Sequence, residues 1–328
     1  MSLNTNGAIN SGTAETTLQV SQSGDTIGLG GGAGTFSLNS NDLAQITAGG
    51  LTIGSADNGT ITVDGVTSTS TPLTLIANSG ASAVNFSSNA SSFGNLTVDT
   101  GTGGMGFGVN VSTANLTVAS GGAVNFGGDL TTTGNLNVTS GGAIADKGIL
   151  LVDGTSSFTT NVADQAITLD STSSSFTGTV SLNTIGTGDA TLISDNAVTL
   201  STSTVGRDLN VTVDGGNSLN VTGKSTAGGP INLSADDDII FTAAGDLSAN
   251  GNISVKADDD SLADAGSGGA LTMEDGTVFK AGSGVLALSA DEDITLGRVE
   301  TSSASDTAVT LTSTSGGVVD ADKALPPE

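Results

Sequence analysis

The chain has 328 residues, with 49 glycines, nine phenylalanines and no cysteine, histidine, tryptophan or tyrosine. Its formal net charge of −26 argues against a nucleic-acid partner, because phosphate neutralisation needs clustered cationic residues and the chain has only seven in all. No run of about 18 apolar residues occurs, so no membrane insertion is predicted, and Met1–Asn4 does not begin a recognisable signal peptide. Without cysteine the chain forms no disulfide bond.

Residues 1–93 predict loosely spaced strands, because short alternating apolar runs are separated by turn-forming Gly, Asn, Asp and Ser. The candidates are Thr17–Val20, Thr35–Leu38, Leu51–Ile53, Thr60–Val63, Leu73–Ile76 and Ala83–Phe86. Gly28–Gly34 is predicted to be the most flexible stretch. Gly31–Leu38 is similar to a calcium-binding nonapeptide repeat, but Phe36 occupies the position that requires aspartate, so no site is predicted there.

Residues 94–144 contain the clearest internal repeat. The pentapeptides Gly94–Val98, Ala114–Val118 and Gly134–Val138 share the pattern x-Asn-Leu-x-Val and start 20 residues apart. Apolar and polar residues alternate within them, which indicates a half-buried strand. Repeats of this length, with two or three short strands and turns each, predict an all-β fold, a parallel β-solenoid with roughly 20–22 residues per coil.

Stacked coils bring equivalent residues into columns. The predicted columns are an interior aliphatic one of Leu96, Leu116 and Leu136, an interior aromatic one of Phe86, Phe107 and Phe126, and a turn column of Asn95, Asn115 and Asn135. The asparagine amides are predicted to hydrogen-bond along the stack. The alternative is that asparagine occurs there only because turns favour it.

The rest of the chain changes its period twice. Residues 145–205 predict irregular coils, with strands at Ile149–Val152, Ala166–Leu169, Thr179–Leu182, Ala190–Ile193 and Ala197–Leu200. Residues 206–322 predict acidic coils of about 22 residues, since Leu209, Ile231 and Ile253 are 22 apart and Leu219 and Ile240 are 21 apart. Residues 323–328 form a tail whose prolines cannot continue a ladder. The whole of 1–328 is predicted to be one elongated solenoid.

Acidic turns supply the candidate metal site. The triplets Asp236, Asp237, Asp238 and Asp258, Asp259, Asp260 are 22 residues apart, so they are predicted on adjacent coils, where oxygen-only ligands would suit calcium. The alternative is a solvated turn that keeps the protein soluble, with Lys256 partly neutralising it. A third turn, Asp291–Asp293, comes 33 residues later and is predicted not to stack directly on the second.

Three runs carry a family resemblance: Gly134–Ile144, Ala290–Leu296 and Ser315–Asp322. They resemble the filamentous-haemagglutinin-like repeats of very large bacterial surface and secreted proteins. The resemblance covers most of the chain and implies a right-handed parallel β-helix, an extracellular or cell-surface location and a role as stalk or adhesive filament. It also implies that neighbouring segments of a longer chain or other cell-surface molecules are the partners, with self-association through solenoid ends as a further option.

No enzyme is predicted, because histidine is absent, the cationic residues are scattered and no carboxylate pair stands out for glycoside hydrolysis. Thr97 and Thr117 align, but Asn137 follows them, so no ice-binding threonine array is predicted. The sequence favours a non-catalytic structural stalk without a cofactor other than the candidate calcium. The alternative function is a module that binds carbohydrate or a cell-surface partner through one face of the solenoid.

Overall fold

The computed structural model describes residues 7–68, 70–258 and 269–321. Nearly all of their regular structure is parallel β-strand, and Ser40–Ala44 forms a short α-helix. The strands are stacked coil on coil, so the fold is a β-solenoid, as the repeat predicts. The chain divides into two compact units, residues 1–162 and 163–328. Each unit is described by itself, and the predicted continuity of one solenoid over the whole chain stays a prediction.

The first unit winds through three sheet faces in each coil, named here in chain order. The first face contains Ile27–Gly30, Phe36–Leu38, Ile61–Asp64, Ala83–Phe86, Gly104–Phe107, Val124–Phe126 and Ile144–Asp146. The second face contains Thr67–Ser68, Ser91–Phe93, Val111–Thr113, Leu130–Thr132 and Leu150–Val152. The third face contains Glu15–Leu18, Gly50–Ser55, Leu73–Ala77, Asn95–Thr100, Asn115–Ser120, Leu136–Ser140 and Ser156–Thr160. Ile9–Asn10 pairs separately with Ile46–Thr47.

The predicted 20-residue register is confirmed in the strand pairing. Leu96 pairs with Leu116, and Leu116 with Leu136, all in parallel strands. These leucines are at most 1% exposed, whereas Thr97 and Thr117 between them face solvent. This inward and outward alternation follows from the period-2 geometry of a strand.

The predicted aromatic column is also present. The ring centroids of Phe86 and Phe107 are 5.0 Å apart, and so are those of Phe107 and Phe126, with interplanar angles of 11° and 13°. All three rings are at most 1% exposed. The column ends at Asp146, which pairs with Phe126 in the ladder and is also buried.

A hydroxyl column lines one interior corner of this unit. Thr100, Ser120 and Ser140 occupy equivalent positions and are all buried. The Thr100 hydroxyl donates to the Ser120 Oγ over 2.8 Å, and the Ser140 hydroxyl donates to the Gly122 carbonyl over 2.7 Å. These bonds satisfy buried polar groups where the chain turns, which leaving them unpaired would make costly.

The glycine-rich stretch near the N-terminus corrects one prediction. Gly28–Gly34 is not uniformly loose, because Ile27–Gly30 is a strand and Leu29 is fully buried. A Cβ on Gly28 would lie 2.0 Å from the Gly32 carbonyl oxygen, so glycine permits a close backbone approach there. The helix Ser40–Ala44 follows, with Asn39 and Asp42 forming a reciprocal capping box.

The second unit uses a different division of the coil. Its first face contains Ile167–Leu169, Ala190–Ser194, Leu209–Val213, Ile231–Ala235, Ile253–Ala257, Leu286–Ala290 and Val309–Ser313. Its second face contains Val198–Leu200, Leu219–Val221, Ile239–Phe241, Leu271–Met273, Ile294–Leu296 and Val318–Asp320. Its third face contains Ser203–Val205, Ser225–Ala227, Leu247–Ala249, Val278–Ala281 and Arg298–Thr301. Thr179–Asn183 pairs with the first strand of both the second and the third face, and Ser175–Phe176 is a short separate strand.

Two register predictions in this unit need correction. Leu219 pairs with Ile239 rather than Ile240, because Ile239 is the fully buried member of the adjacent pair. Ile253 pairs with Leu286, so a separation of 33 residues forms a single coil. The second correction places the third acidic turn one coil beyond the second, since the additional residues leave the coil between its first and second faces.

Candidate functional site

The outer surface of the first unit carries the predicted asparagine column. The Asn115 Nδ2 donates to the Asn95 Oδ1 over 2.8 Å. The next contact differs, because the Asn135 backbone N–H donates to the Asn115 Oδ1 over 2.8 Å. The column continues beyond the predicted residues, since the Thr155 N–H donates to the Asn135 Oδ1 over 2.9 Å. Asparagine is therefore used here to tie coils together, which turn preference alone would not require.

The same contact recurs with aspartate as the acceptor. The Asp129 Oδ1 accepts the Ile149 N–H of the following coil over 3.0 Å, and the Asp246 Oδ1 accepts the Val278 N–H over 2.8 Å. In each case a side-chain oxygen at a corner accepts a backbone N–H at the start of the next strand. We call these contacts, in which Asn or Asp accepts from the next coil, the corner hydrogen bonds. Sequence reasoning found them only where asparagine repeats at fixed spacing.

One ion pair strengthens a corner of the second unit. Arg207 donates through two nitrogens to both carboxylate oxygens of Asp189, and its Nε lies 2.7 Å from the Asp189 Oδ1. The Asp208 N–H also donates to the Asp189 Oδ1, over 3.1 Å. Partial burial acts to raise the pKa of Asp189, but these donors outweigh it and hold that pKa below its ordinary value. The pairing likewise raises the pKa of Arg207.

A second carboxylate in this unit is held by an adjacent coil. The Thr187 N–H donates to the Asp164 Oδ1 over 2.7 Å, and the Thr187 hydroxyl donates to the same oxygen over 2.8 Å. Both bonds favour the charged carboxylate, so they lower the pKa of Asp164. The Asp164 backbone has a φ of 65°, a left-handed conformation that aspartate tolerates better than most residues.

The candidate calcium residues lie at one corner of the second unit. The Asp237 Oδ2 accepts the Ser218 hydroxyl over 2.7 Å, and the Asp238 Oδ1 accepts the Ala270 N–H over 2.9 Å. The Asp236 Oδ2 accepts the Gly216 N–H over 3.3 Å. Asp236 and Asp237 thus accept from the preceding coil, while Asp238 accepts from the following one.

The second acidic triplet lies only partly within the described residues. The Asp258 N–H donates to the Asp237 carbonyl over 3.3 Å, so the two turns do stack as predicted. Asp259 and Asp260 lie outside the described residues. Among the residues that the structure describes, no three acidic side chains converge as metal ligands. Calcium binding at Asp236–Asp238 and Asp258–Asp260 therefore stays a prediction.

The third acidic turn shares this corner. Lys256 pairs with Ser289, so Asp291–Asp293 follows at the same point of the next coil. There the Asp293 Oδ1 accepts the Gly317 N–H over 2.8 Å. The three turns at 236–238, 258–260 and 291–293 are called the acidic corner below.

An exposed threonine column on the third face of the first unit was missed from the sequence. Its members pair in direct register from strand to strand: Thr17, Thr52, Thr74, Thr97 and Thr117, followed by Asn137. The separations between members vary, which hid the column from a search for a fixed period. The side chains two residues further along three of these strands are Ile76, Asp99 and Ala119, so the column is single.

Comparison with known proteins gives one match. A protein family described as Repeats of unknown function (DUF5649) matches residues 113–183. No curated protein and no solved structure matches the chain. Within the described residues, no helix has the length and apolar character needed to cross a membrane. The chain is thus a β-solenoid repeat protein, and its role has to be argued from its own surface.

Proposed function

We propose that this chain is a structural, non-catalytic stalk segment of a large bacterial surface or secreted protein of the filamentous-haemagglutinin-like type. An extracellular or cell-surface setting is part of this proposal, as are neighbouring segments of a longer chain as partners. The observation that carries it is the residue-for-residue parallel stacking of coils within each unit. Such stacking lets a chain grow in one direction by adding units that contact only their neighbours.

The polar residues support the same role. Asn95, Asn115 and Asn135 join coils of the first unit, and Asp189 and Asp246 join coils of the second. Side chains that could serve a reaction are here acceptors for backbone N–H groups of the next coil. A segment built to hold its coils together is what a stalk requires.

Removal of one whole coil tests this role. Since Thr97 pairs with Thr117, deletion of residues 97–116 joins Leu96 to Thr117 and preserves the register. We expect this variant to keep its β-sheet circular dichroism and cooperative melting. The matched control deletes residues 97–106, which shifts every later side chain out of its column. Loss of folding in both variants would show that the coils are not interchangeable spacer units.

The alternative function is a module that binds carbohydrate or a cell-surface partner through a solenoid face. The exposed threonine column from Thr17 to Thr117 favours it, because rows of hydroxyl groups can bind polar ligands. A glycan-array screen separates the two functions. Binding that is lost in Thr97→Ala/Thr117→Ala, with unchanged melting temperature, would support the module and count against a pure stalk.

A further inference from the structure

The last coil of the second unit that the structure describes has uncovered apolar residues in inward-facing positions. Three register pairs define these positions: Leu286 with Val309, Leu288 with Leu311 and Ile294 with Val318. Leu286 and Ile294 have no exposed surface, but Val309 is 41% and Val318 is 49% exposed. The row Val309, Leu311 and Val318 is called the open edge. Its side chains have the pattern of a buried column, yet among the described residues no further strand pairs with 309–313 or 318–320.

The first coil of the first unit is finished differently. There Leu43 of the helix Ser40–Ala44 and Ile46 after it are each only 8% exposed, so the helix and the segment after it cover apolar surface. On the third face, the inward position that pairs with Leu51 is Thr16, a polar residue. A helix cover and a polar edge residue are the features that prevent strand addition. The open edge has neither.

We infer that the open edge is a self-association surface that binds the open edge of a second copy of this chain. Every coil contact within the units already buries such an apolar row against a neighbouring strand, so a second copy would continue an interface that the fold repeats. Head-to-tail stacking onto the helix-covered first coil is disfavoured. Two identical edges then meet about a two-fold axis, with their strands antiparallel.

Charge determines when this association occurs. Glu300 and Asp320 lie on the terminal strands of their faces, and Asp306 lies in the turn before Val309–Ser313. A two-fold contact brings these carboxylates towards their copies, and like charges oppose it at low salt. Because the Debye length falls from about 10 Å at 0.1 M salt to about 3 Å at 1 M, association is expected to strengthen with salt.

Sedimentation velocity and light scattering of the full chain test the inference over a concentration series at both salt concentrations. The expected particle has twice the chain mass of 31.6 kDa, with a larger dimer fraction at high salt. Val318→Lys introduces an inward charge at an already exposed residue, so folding is retained and the dissociation constant rises by at least about tenfold. A chain that stays monomeric under all these conditions overturns the inference.

Matched variants separate the open edge from exposed apolar surface in general. Val319 is the neighbour of Val318, is 45% exposed and faces outward. Val319→Lys should weaken the dimer much less than Val318→Lys. Leu151→Lys, a 41% exposed site on the second face of the first unit, should leave it unchanged. Equal dimer loss in all three variants overturns the assignment. The inference goes beyond the proposed stalk function, because a monomeric chain that passes the coil-deletion test would leave that function intact.

Discussion

The two units build the same kind of coil in different ways. In the first unit the long strand lies on the third face, as in Asn115–Ser120, and the first face carries shorter strands such as Val124–Phe126. In the second unit the long strand lies on the first face, as in Leu209–Val213, and two three-residue strands follow it. The position of the bend within the coil is therefore free, provided that each strand finds its partner in the next coil.

The corners differ in charge as well. The coils at 95–155 are joined by neutral amides of asparagine, whereas those of the second unit are joined largely by carboxylates, including Asp189 and Asp246. Neutral contacts are independent of pH and salt over a wide range, while contacts of charged groups are not. The comparison teaches that one architecture contains a chemically insensitive and a chemically sensitive region.

The largest expected effect is a charge inside either unit, which tests what the two coil designs share. Leu116→Asp in the first unit and Leu233→Asp in the second place a carboxylate at sites that are 0% and 2% exposed. Each is expected to lower the free energy of unfolding by more than about 4 kcal/mol, or to prevent folding, because an unpaired charge is buried. Urea denaturation followed by circular dichroism measures it.

Outward neighbours serve as controls for these substitutions. Thr117→Asp and Ser234→Asp lie one residue further along the same strands and face out. Their expected effect is within about 0.5 kcal/mol, as for most surface changes. Equal damage from the inward and outward variants would show that the alternation is assigned to the wrong face.

The next effect concerns the aromatic columns. Phe107 stacks on a ring at each side, whereas Phe241 in the second unit has one edge contact, with Phe279 at 4.6 Å. Phe107→Ala is expected to cost about 3–5 kcal/mol from the cavity. It should exceed Phe241→Ala by about 0.5–1.5 kcal/mol for the additional ring contact. Thermal and urea unfolding of both variants, with Phe→Leu at each site as control, would reverse this order if stacking contributes nothing.

A smaller effect distinguishes the two kinds of corner. Asn115→Ala removes one donor and one acceptor between coils and is expected to cost about 1 kcal/mol, with the same value at low and high salt. Asp189→Ala removes the partner of an exposed arginine and is expected to cost less than about 1 kcal/mol, with a value that shrinks in 1 M salt. Unfolding free energies of both variants at two salt concentrations give the comparison, and an equal salt response would contradict it.

The pH dependence follows from the lowered pKa values of Asp164 and Asp189. Each carboxylate ionises near pH 3.9 in the unfolded chain, so its contribution is fully present above about pH 4 and is lost as pH falls through the lower folded pKa. Asp164→Asn/Asp189→Asn should therefore flatten the loss of stability between about pH 4 and pH 2. Thermal melting across this range measures it, and parallel curves for wild type and variant would count against the assignment.

The smallest expected effect is that of calcium on the acidic corner. If Asp236–Asp238 and Asp258–Asp260 bind the ion, millimolar calcium raises the melting temperature by mass action and magnesium does not reproduce the shift. Asp237→Asn should abolish the shift, whereas Asp57→Asn in the first unit should preserve it. An unchanged wild-type melting temperature would leave the acidic corner as hydrogen-bond acceptors for Ser218 and Ala270.

The sequence by itself determined the coil and its polarity. The x-Asn-Leu-x-Val repeat placed Leu96, Leu116 and Leu136 inside, because strand side chains alternate and identical spacing brings identical residues into register. The strand Ala83–Phe86 was predicted to its exact bounds for the same reason. The asparagine column needed only the additional fact that a short amide side chain can span the distance between coils.

The tertiary structure alone decided which neighbours meet where the spacing drifts. Ile239 rather than Ile240 faces inward, the acidic turns at 258 and 291 share a corner despite 33 intervening positions, and the threonine column runs through unevenly spaced members. The physical reason is that partners are selected by the stacked strand above and below, where backbone hydrogen bonds and apolar columns must match. Loops that leave the coil change the separation in sequence without changing that match.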